Sequence, residues 1–567
     1  MIYDFSDDSN LEINIKNNFK KKLISNENNF NEYISKFSRK YINNLDWWVS
    51  SASSRNNFTS DLYYNFTLIE FIKDEIDRKK NITKIIINSK IVKKIILNII
   101  SEKNLNIEVV LKYRKKLTIF SLNFIIDFVK YLYIHLSKLL SCHQSKRIIK
   151  KKIYRKDNLK LIDTYLLADF IDKDRYFNNL TKDIDEKKEN IYFIPTIVTL
   201  NRNQIKNLKN IFIEIRKSKK NYLIKEDFIS IFDLFYVFFH FIRIIALTKY
   251  KFKFNGVDYS KLVYNDLFSL SSYGMSIESL LYYQFIKKIK KNNYQINHFI
   301  NWWENQPIDK AVNFALNKYY KETSVLGYLG YVPRKLELNI YPCDEEIKAG
   351  VIPKEIGVIG KAYQKEIIKF TKNVKTTVVP ALRFQHLWQD LKENHNNNYI
   401  FVPLPILLNE SLEILELILR SINNNKNDVK YLIKTHPAVS MDNYLKKFNF
   451  PSQVKFTNKP TDYLIHNTEI VLSGVSSICM ESICLGIPTI IIEKNKCMIF
   501  DPIPSDMNNE FYKRINNHRD LTKFINYFLS LNNTSKNKIK LNYQILKEYY
   551  FEKPNSNNKK IMLGKIY

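Results

Sequence analysis

Glycine is almost missing from the first half of this 567-residue chain: of 10 glycines none precedes Gly256, and nine lie between Gly256 and Gly486. Loops that cradle phosphate through bare backbone need glycine. A glycine-free stretch of 255 residues therefore excludes a Walker loop or a G-x-G-x-x-G turn there, and with them P-loop ATPases and ordinary dinucleotide enzymes as readings of that half. Proline is skewed the same way, with 13 of 15 between Pro307 and Pro504. Tight turns and close approaches of backbone to a ligand rely on both residues, so the chemistry is expected in the second half.

Cysteine is scarce and odd in number: Cys142, Cys343, Cys479, Cys484 and Cys497 show no C-x-x-C and no Cys/His spacing suited to zinc. A disulfide framework and a structural metal are excluded, and a reducing compartment is implied. The opening MIYDFSDDSN lacks a basic region followed by an apolar one, which predicts no secretory signal and a cytoplasmic location. Uninterrupted apolar runs are missing too. Leu117–Leu140 contains Asp127 and Lys130, and Phe228–Leu247 carries Asp233, His240 and Arg243. Both read as buried or interfacial helices rather than crossings, which leaves peripheral contact with the anionic inner membrane open.

What is abundant is positive charge, 89 Lys and Arg against 57 Asp and Glu, for a net +32. The basic residues are spread along the chain with no nucleic-acid module beside them. That argues against nucleic acid as a partner and for anionic membrane surfaces or phosphate-bearing substrates. A chain of this length, 45% hydrophobic, is expected to fill two or more cores.

Residues 1–255 read as Lys- and Asn-rich helices with strands at Thr83–Asn88 and Asn190–Pro195. Trp47–Trp48, followed by Ser50, Ser51, Ser53, Ser54, Arg55 and Asn56, reads either as an acceptor loop or as a helix N-cap beside two packed indoles; the second reading is slightly favoured. In the middle, Tyr264–Leu270 is expected as a strand, Tyr273–Gly274 as a break and Ile277–Lys290 as a helix with Glu278 in its first turn. The run WWENQP, Trp302–Pro307, precedes a further helix, and Ile356–Ile359 is a short strand. From Tyr399 onward strands and helices alternate: strands at Tyr399–Val402, Val429–Ile433, Val454–Phe456, Glu469–Leu472 and Thr489–Ile492, with helices such as Ser411–Ile422 and Ser476–Leu485 between them. Such alternation predicts a parallel, doubly wound sheet, which binds ligands at the carboxyl ends of its strands.

Two motifs sit at such ends. Lys434-Thr435-His436-Pro437 follows a strand. Its cation and imidazole can hold a diphosphate, Pro437 fixes the turn, and His436 can donate to the phosphate or the departing oxygen. Ser473-Gly474-Val475-Ser476-Ser477 turns from a strand into a helix whose N–H groups and hydroxyls suit an anion. Glu481, four residues after Ser477, lies on the same helical face and can accept from a ribose diol. The competing reading is simple capping by Ser476 or Ser477 with Glu481 a solvated charge.

With these residues the sequence resembles a known group. KTHP together with SGVSSICMESICLGIPTIIIE is similar to the C-terminal domain of GT-B glycosyltransferases of bacterial surface-carbohydrate (capsule, lipopolysaccharide, O-antigen) synthesis, near sialyl-, polysialyl- and Kdo transferases and CDP-glycerol glycerophosphotransferases. The middle runs WWENQP, GYLGYVPR and GVIPKEIGVIG resemble surface-carbohydrate biosynthesis proteins. The resemblance implies an α/β, GT-B-like fold of two Rossmann-like domains with a helix-rich N-terminal half. Residues 1–390 would form the acceptor side, with helical insertions at about 100–180 and 225–250, and 391–567 the nucleotide-donor domain. It implies donor contacts from His436, Ser476, Ser477 and Glu481, joined by Lys434, Ser473 and Gly474. The D/E-D/E-G base motif of sialyltransferases is not found. Glu278 and Glu304 are the candidate bases for an acceptor hydroxyl, and Arg383, in PALRF, a donor-phosphate or acceptor contact. Asp172-Lys173-Asp174 and Asp183-Ile184-Asp185 lie in charged, helix-like surroundings rather than at a strand end, so no metal is implied. The expected activity is transfer of a sugar from a nucleotide-sugar, with a CMP- or UDP-linked donor compatible and no further cofactor, to a surface polysaccharide or lipid-linked glycan. CDP-alditol phosphotransfer, sugar-nucleotide 2-epimerisation and a non-catalytic GT-B-like binding subunit stay open.

Overall fold

The computed structural model describes residues 1–564 except 79, 113–117, 150–153, 168–169, 173–174, 178, 199–201, 390–398, 424–428, 437–438, 494, 505–506, 508–509 and 511. Asp174, Pro437 and the expected domain boundary at 390/391 fall outside these residues.

Three parallel sheets carry the chain. The first joins β1 (Ile2–Asp4), β2 (Lys84–Ile87) and β3 (Glu108–Leu111) in that order. The second contains β4 (Leu159–Leu166) and β5 (Ile191–Ile197); the hairpin β6 (Lys253–Phe254) and β7 (Val257–Asp258) stands apart from it. It continues with β8 (Ile296–Trp302), β9 (Ser324–Leu329), β10 (Glu355–Val358) and β11 (Lys375–Val378), in the order β11-β10-β9-β8-β4-β5. The third comprises β12 (Tyr399–Pro403), β13 (Lys430–Lys434), β14 (Val454–Phe456), β15 (Ile470–Gly474), β16 (Thr489–Ile492) and β17 (Tyr512–Ile515), in the order β14-β13-β12-β15-β16-β17. Every pairing in the second and third sheets is parallel.

Strands covered on both faces read as continuous apolar runs, as β5 and β15 do, each buried along its whole length. In β12 alternate residues serve different cores: Ile400 and Val402 pack with Ile414, Leu415 and Ile418, while Phe401 joins Met480 and Ile483. The penultimate helix Asn533–Tyr550 then leaves the third sheet and packs on both the Ser477–Cys484 and Lys361–Ile367 helices. Glu552 accepts from Ala381 N–H (2.9 Å) and donates its own N–H to Ile359 (2.6 Å), which ties the chain's end to the second sheet. Gly360 is required at this crossing, because a Cβ there would lie 2.1 Å from the Tyr550 carbonyl oxygen.

The first half makes its left-handed turns without glycine. Of the nine non-glycine residues with positive φ among the described residues, seven are Asn. Asparagine tolerates that region better than other side chains do.

Two local expectations are corrected. Tyr264–Leu270 is not a strand: Ser260–Leu267 is a helix with Leu262, Val263 and Leu267 buried at helical spacing. Tyr273–Gly274 is no break either, since both lie inside the 22-residue helix Leu270–Lys291. Gly274 serves helix crossing, because its Cβ would come 2.4 Å from Tyr131 Oη on the Asn123–Ile148 helix. The stretch 100–180 holds that long helix but also β3 and β4, the strand between β8 and β5 in the second sheet.

Candidate functional site

The third sheet runs outward from β12 through β13 to β14, then returns to the other side of β12 with β15. Loops after β12 and β15 therefore diverge and leave a crevice at their carboxyl ends, the position where doubly wound sheets bind ligands. Pro403, Pro405, Ser473, Gly474, Ser476 and Ile478 line it around a cavity of about 110 Å³. Ser476 occupies the N-cap of the Ser477–Cys484 helix in extended conformation (φ −151°, ψ 158°) but makes no side-chain capping bond. Its hydroxyl is not committed to the helix end, contrary to the capping reading.

Lys434 pairs in register with Pro403, and Phe401 with Val471. Continuing that register sets Lys434, Pro403 and Ser473 level on three adjacent strands, with about 10 Å between the outer two backbones. Lys434 Nζ donates to the Lys459 carbonyl, and partial burial lowers its pKa. His436, just beyond, is half-buried; burial first, and then the Arg175 guanidinium, hold its imidazole below the ordinary range. At neutral pH it is an uncharged ring with one N–H to donate, not an imidazolium acid.

Glu481 lies one turn into the helix and meets His386 Nε2 at 3.0 Å. His386 belongs to the Leu382–Trp388 3₁₀ segment that leads out of the second sheet, and its carbonyl is 2.8 Å from His466 Nε2. Neither histidine carries a sequence motif, so the sequence reading passed over both.

The second sheet has its own divergence between β4 and β8. Glu304 sits there, two residues beyond the end of β8. Trp302 Nε1 donates to Glu304 Oε1 (2.7 Å), and Asp309 accepts the N–H groups of Glu304 and Gln306 (both 2.9 Å), which fixes the turn. Burial pushes the Glu304 carboxyl above its usual value, offset in part by the Trp302 bond and by Arg334 and Arg383. Arg383 lies over the Trp302 and Tyr176 rings, at 5.6 and 5.9 Å. Glu304 and Arg383 thus share one edge.

The two edges are linked through one short segment. Arg175 acts on His436, while the next residue, Tyr176, packs edge-on against Trp302 (4.6 Å) and Phe177 against Tyr328 (5.3 Å). The carboxyl end of β13 in the third sheet therefore faces the carboxyl end of β8 in the second.

Glu278 is not part of this edge. It lies well inside the Leu270–Lys291 helix, ion-paired to Lys225 and to Lys138 (3.7 Å). Burial alone would raise its carboxyl, but Lys225 and Lys138 outweigh it and hold the group far below the usual range. Nearby, burial drives His135 down to about 3. The Glu278 charge therefore stabilises the fold at neutral pH, and that contribution is lost as pH falls below the ordinary glutamate range. Glu278→Gln should cost roughly 2–4 kcal/mol by leaving two buried ammonium groups short of a counter-charge. Urea unfolding at pH 7.5 checks this, and the deficit should hold down to the ordinary glutamate range, about pH 4–5, and shrink only below it.

The segment after Trp47–Trp48 is support, not surface. Ser50 caps the Ser51–Ser54 helix through Ser53 N–H, and both indoles are fully buried. Arg55 and Lys310 clasp Glu346 at 2.8 and 2.7 Å with all three side chains at most 1% exposed, and Asn56 donates to Gln306 (2.8 Å). This buried cluster holds the WWENQP turn from below. Among the described residues no cluster of three or more His, Cys, Asp or Glu could hold a metal ion.

Two doubly wound parallel sheets, facing at their carboxyl edges and tied by the returning helix Asn533–Tyr550, decide the architecture. The fold is GT-B-like. No protein-family profile matches the chain, and no curated protein does. Among solved structures the chain is similar to S. aureus MnaA in a UDP co-structure, at 12% identity over 72% of this chain and 94% of that one, with a TM-score of 0.40. It is also similar to UDP-GlcNAc 2-epimerase from Neisseria meningitidis bound to UDP-GlcNAc (11% identity, 72% and 99% covered, TM-score 0.39). A third similarity is to the wall teichoic acid polymerase TagF (9% identity, 78% and 97% covered, TM-score 0.36).

Proposed function

We propose that this chain is a metal-independent glycosyltransferase that moves a sugar from a nucleotide-sugar donor to a hydroxyl of a surface polysaccharide or lipid-linked glycan. The observation that carries the reading is the pair of facing edges: an uncapped helix start at the β12/β15 crevice, and a raised carboxyl at the β4/β8 edge. In this reading the donor diphosphate rests on the N–H groups at Ser476 and Ser477, with Lys434 supplying charge and neutral His436 a hydrogen bond. Glu481 exchanges its His386 contact for the ribose hydroxyls. Glu304 takes the proton of the acceptor hydroxyl, the acceptor oxygen bonds to the anomeric carbon, and the bond from that carbon to the nucleotide phosphate breaks. Arg383 orients the acceptor or steadies the leaving phosphate. Beyond these residues the reaction needs a cytoplasmic supply of activated sugar.

Thermal-shift measurement with CMP, CDP, UDP, GDP and their sugars tests the donor site. One of them should stabilise the protein by ~2.7 kcal/mol at a hundredfold excess over Kd. His436→Ala and Ser477→Ala should each weaken that gain. No stabilisation by any nucleotide, or a gain untouched by both substitutions, would sink the reading. Product analysis with the stabilising donor then separates sugar transfer from alditol transfer or epimerisation.

A further inference from the structure

We infer that the second-sheet half of the protein docks on an anionic bilayer through an apolar face built by two helical segments. The first is the Asn123–Ile148 helix, whose exposed side carries Leu122 (87% exposed), Ile126, Val129 and Tyr133. Their spacing of four, three and four residues makes one stripe, the reverse of the usual amphipathic arrangement. The second runs from Ile231 to Thr248, 18 residues of mean hydropathy 1.8. Its exposed side carries Ile231, Phe232 (78% exposed), Phe235, Phe239, Ile242 and Ile245. A partly buried aromatic seam joins the segments: Phe124 packs on Phe241 (5.3 Å) and Phe128 on Phe238 (5.3 Å). Contiguous apolar surface on this scale marks an interaction site.

Length and composition alone would let Ile231–Thr248 cross a membrane, but its polar residues are tied into the protein. Asp233 accepts from Ser230 and pairs with Lys288 (3.1 Å). His240 and Arg243 both hold Asp46, at 2.7 and 2.9 Å. The backbone is also divided into Ile231–Phe238, His240–Arg243 and a 3₁₀ turn, Ile244–Thr248. A segment pinned by its charges with its aromatic side outward lies in the interface and does not span.

Charge selects the occupant. Exposed Lys130 adjoins Val129, exposed Arg147 ends the first helix, and exposed Lys249, Lys251 and Lys253 follow the second segment. The acids on these segments are Asp127, half-buried, and Asp233, already paired. Aromatic side chains rimmed by Lys and Arg match the headgroup region of an anionic leaflet, and the chain's net +32 favours the same surface.

Lys138, on the inner side of the first helix, donates to the Ile197 carbonyl (3.1 Å) at the carboxyl end of β5. The helix whose outer side forms the docking face thus abuts, by its inner side, the sheet edge that bears Glu304. On the transferase reading above, the acceptor is then a lipid-linked glycan that stays in the bilayer; docking itself does not depend on that reading.

Flotation of the full-length protein with vesicles of phosphatidylcholine, alone or mixed with phosphatidylglycerol, tests the inference. The protein should float with the mixed vesicles, less with phosphatidylcholine alone, and less in high salt. The triple variant Ile126→Glu, Phe232→Glu, Phe235→Glu should lose at least tenfold in vesicle affinity while keeping its circular dichroism and its stabilisation by nucleotide. Sedimentation of both proteins without lipid completes the test. Failure of the wild type to float, unchanged floating of the triple variant, or a wild-type dimer that the triple variant abolishes without lipid binding would each overturn the inference.

Discussion

Replacing Glu304 by glutamine should slow turnover ~10²–10⁴-fold, the usual worth of a positioned general base. Affinity for the nucleotide should be unchanged, because Glu304 belongs to the second sheet and the donor crevice to the third. Glutamine preserves the volume and can still accept from Trp302 Nε1, so the turn fixed by Asp309 survives. The pH dependence follows from the direction of the shift. Burial raises the Glu304 carboxyl, and only its ionised form accepts a proton. Activity should therefore fall on the acid side at a pH above that expected for an ordinary glutamate, and this limb should disappear in Glu304→Gln. Steady-state kinetics between pH 5 and 9 read both effects. An acid limb that persists unchanged in the variant would assign the base elsewhere.

Glu346→Gln should have the largest effect on stability. Its carboxylate sits between Arg55 and Lys310, and Asn305 and the Cys343 N–H add bonds at 3.2 and 2.9 Å. Burial alone would raise its pKa, yet Arg55 and Lys310 hold it below the usual range. Removing the charge leaves a guanidinium and an ammonium buried without a counter-ion, a change that costs about 3–5 kcal/mol. The wild-type contribution is complete at neutral pH and is lost as pH falls below the ordinary glutamate range. Trp48, whose ring lies 5.5 Å from Lys310 Nζ, reports the site, so denaturant unfolding followed by tryptophan fluorescence should show the loss. A variant as stable as the wild type would remove this cluster from the support of the WWENQP turn.

The third sheet was largely legible from sequence because most of its strands are short apolar runs bounded by turn residues. Pro403, Gly474 and Pro488 mark its ends and entries. Only β17, Tyr512–Ile515, escaped, being half polar with Lys513 and Arg514 in its middle. The second sheet was harder to read. Gly274 suggested a turn but serves a helix crossing, and asparagines took the left-handed positions that glycine would have flagged. At the site, Ser473–Ser477 could be placed from the strand–turn–helix pattern alone. Glu278 and Glu304 could not be told apart, since ion-pairing to Lys138 and Lys225 depends on residues more than 50 positions away. His386 escaped for the same reason: its contact with Glu481 exists only across the link between the two sheets.

The central claim is that donor phosphate is held where β12 and β15 diverge. A crystal structure of the full chain with the nucleotide that stabilises it most tests this directly. The account predicts phosphate oxygens within hydrogen-bonding distance of the Ser476 and Ser477 N–H groups, and Glu481 turned from His386 to the ribose. Nucleotide bound instead at the β4/β8 edge, or anywhere that leaves Ser473–Ser477 untouched, would contradict it.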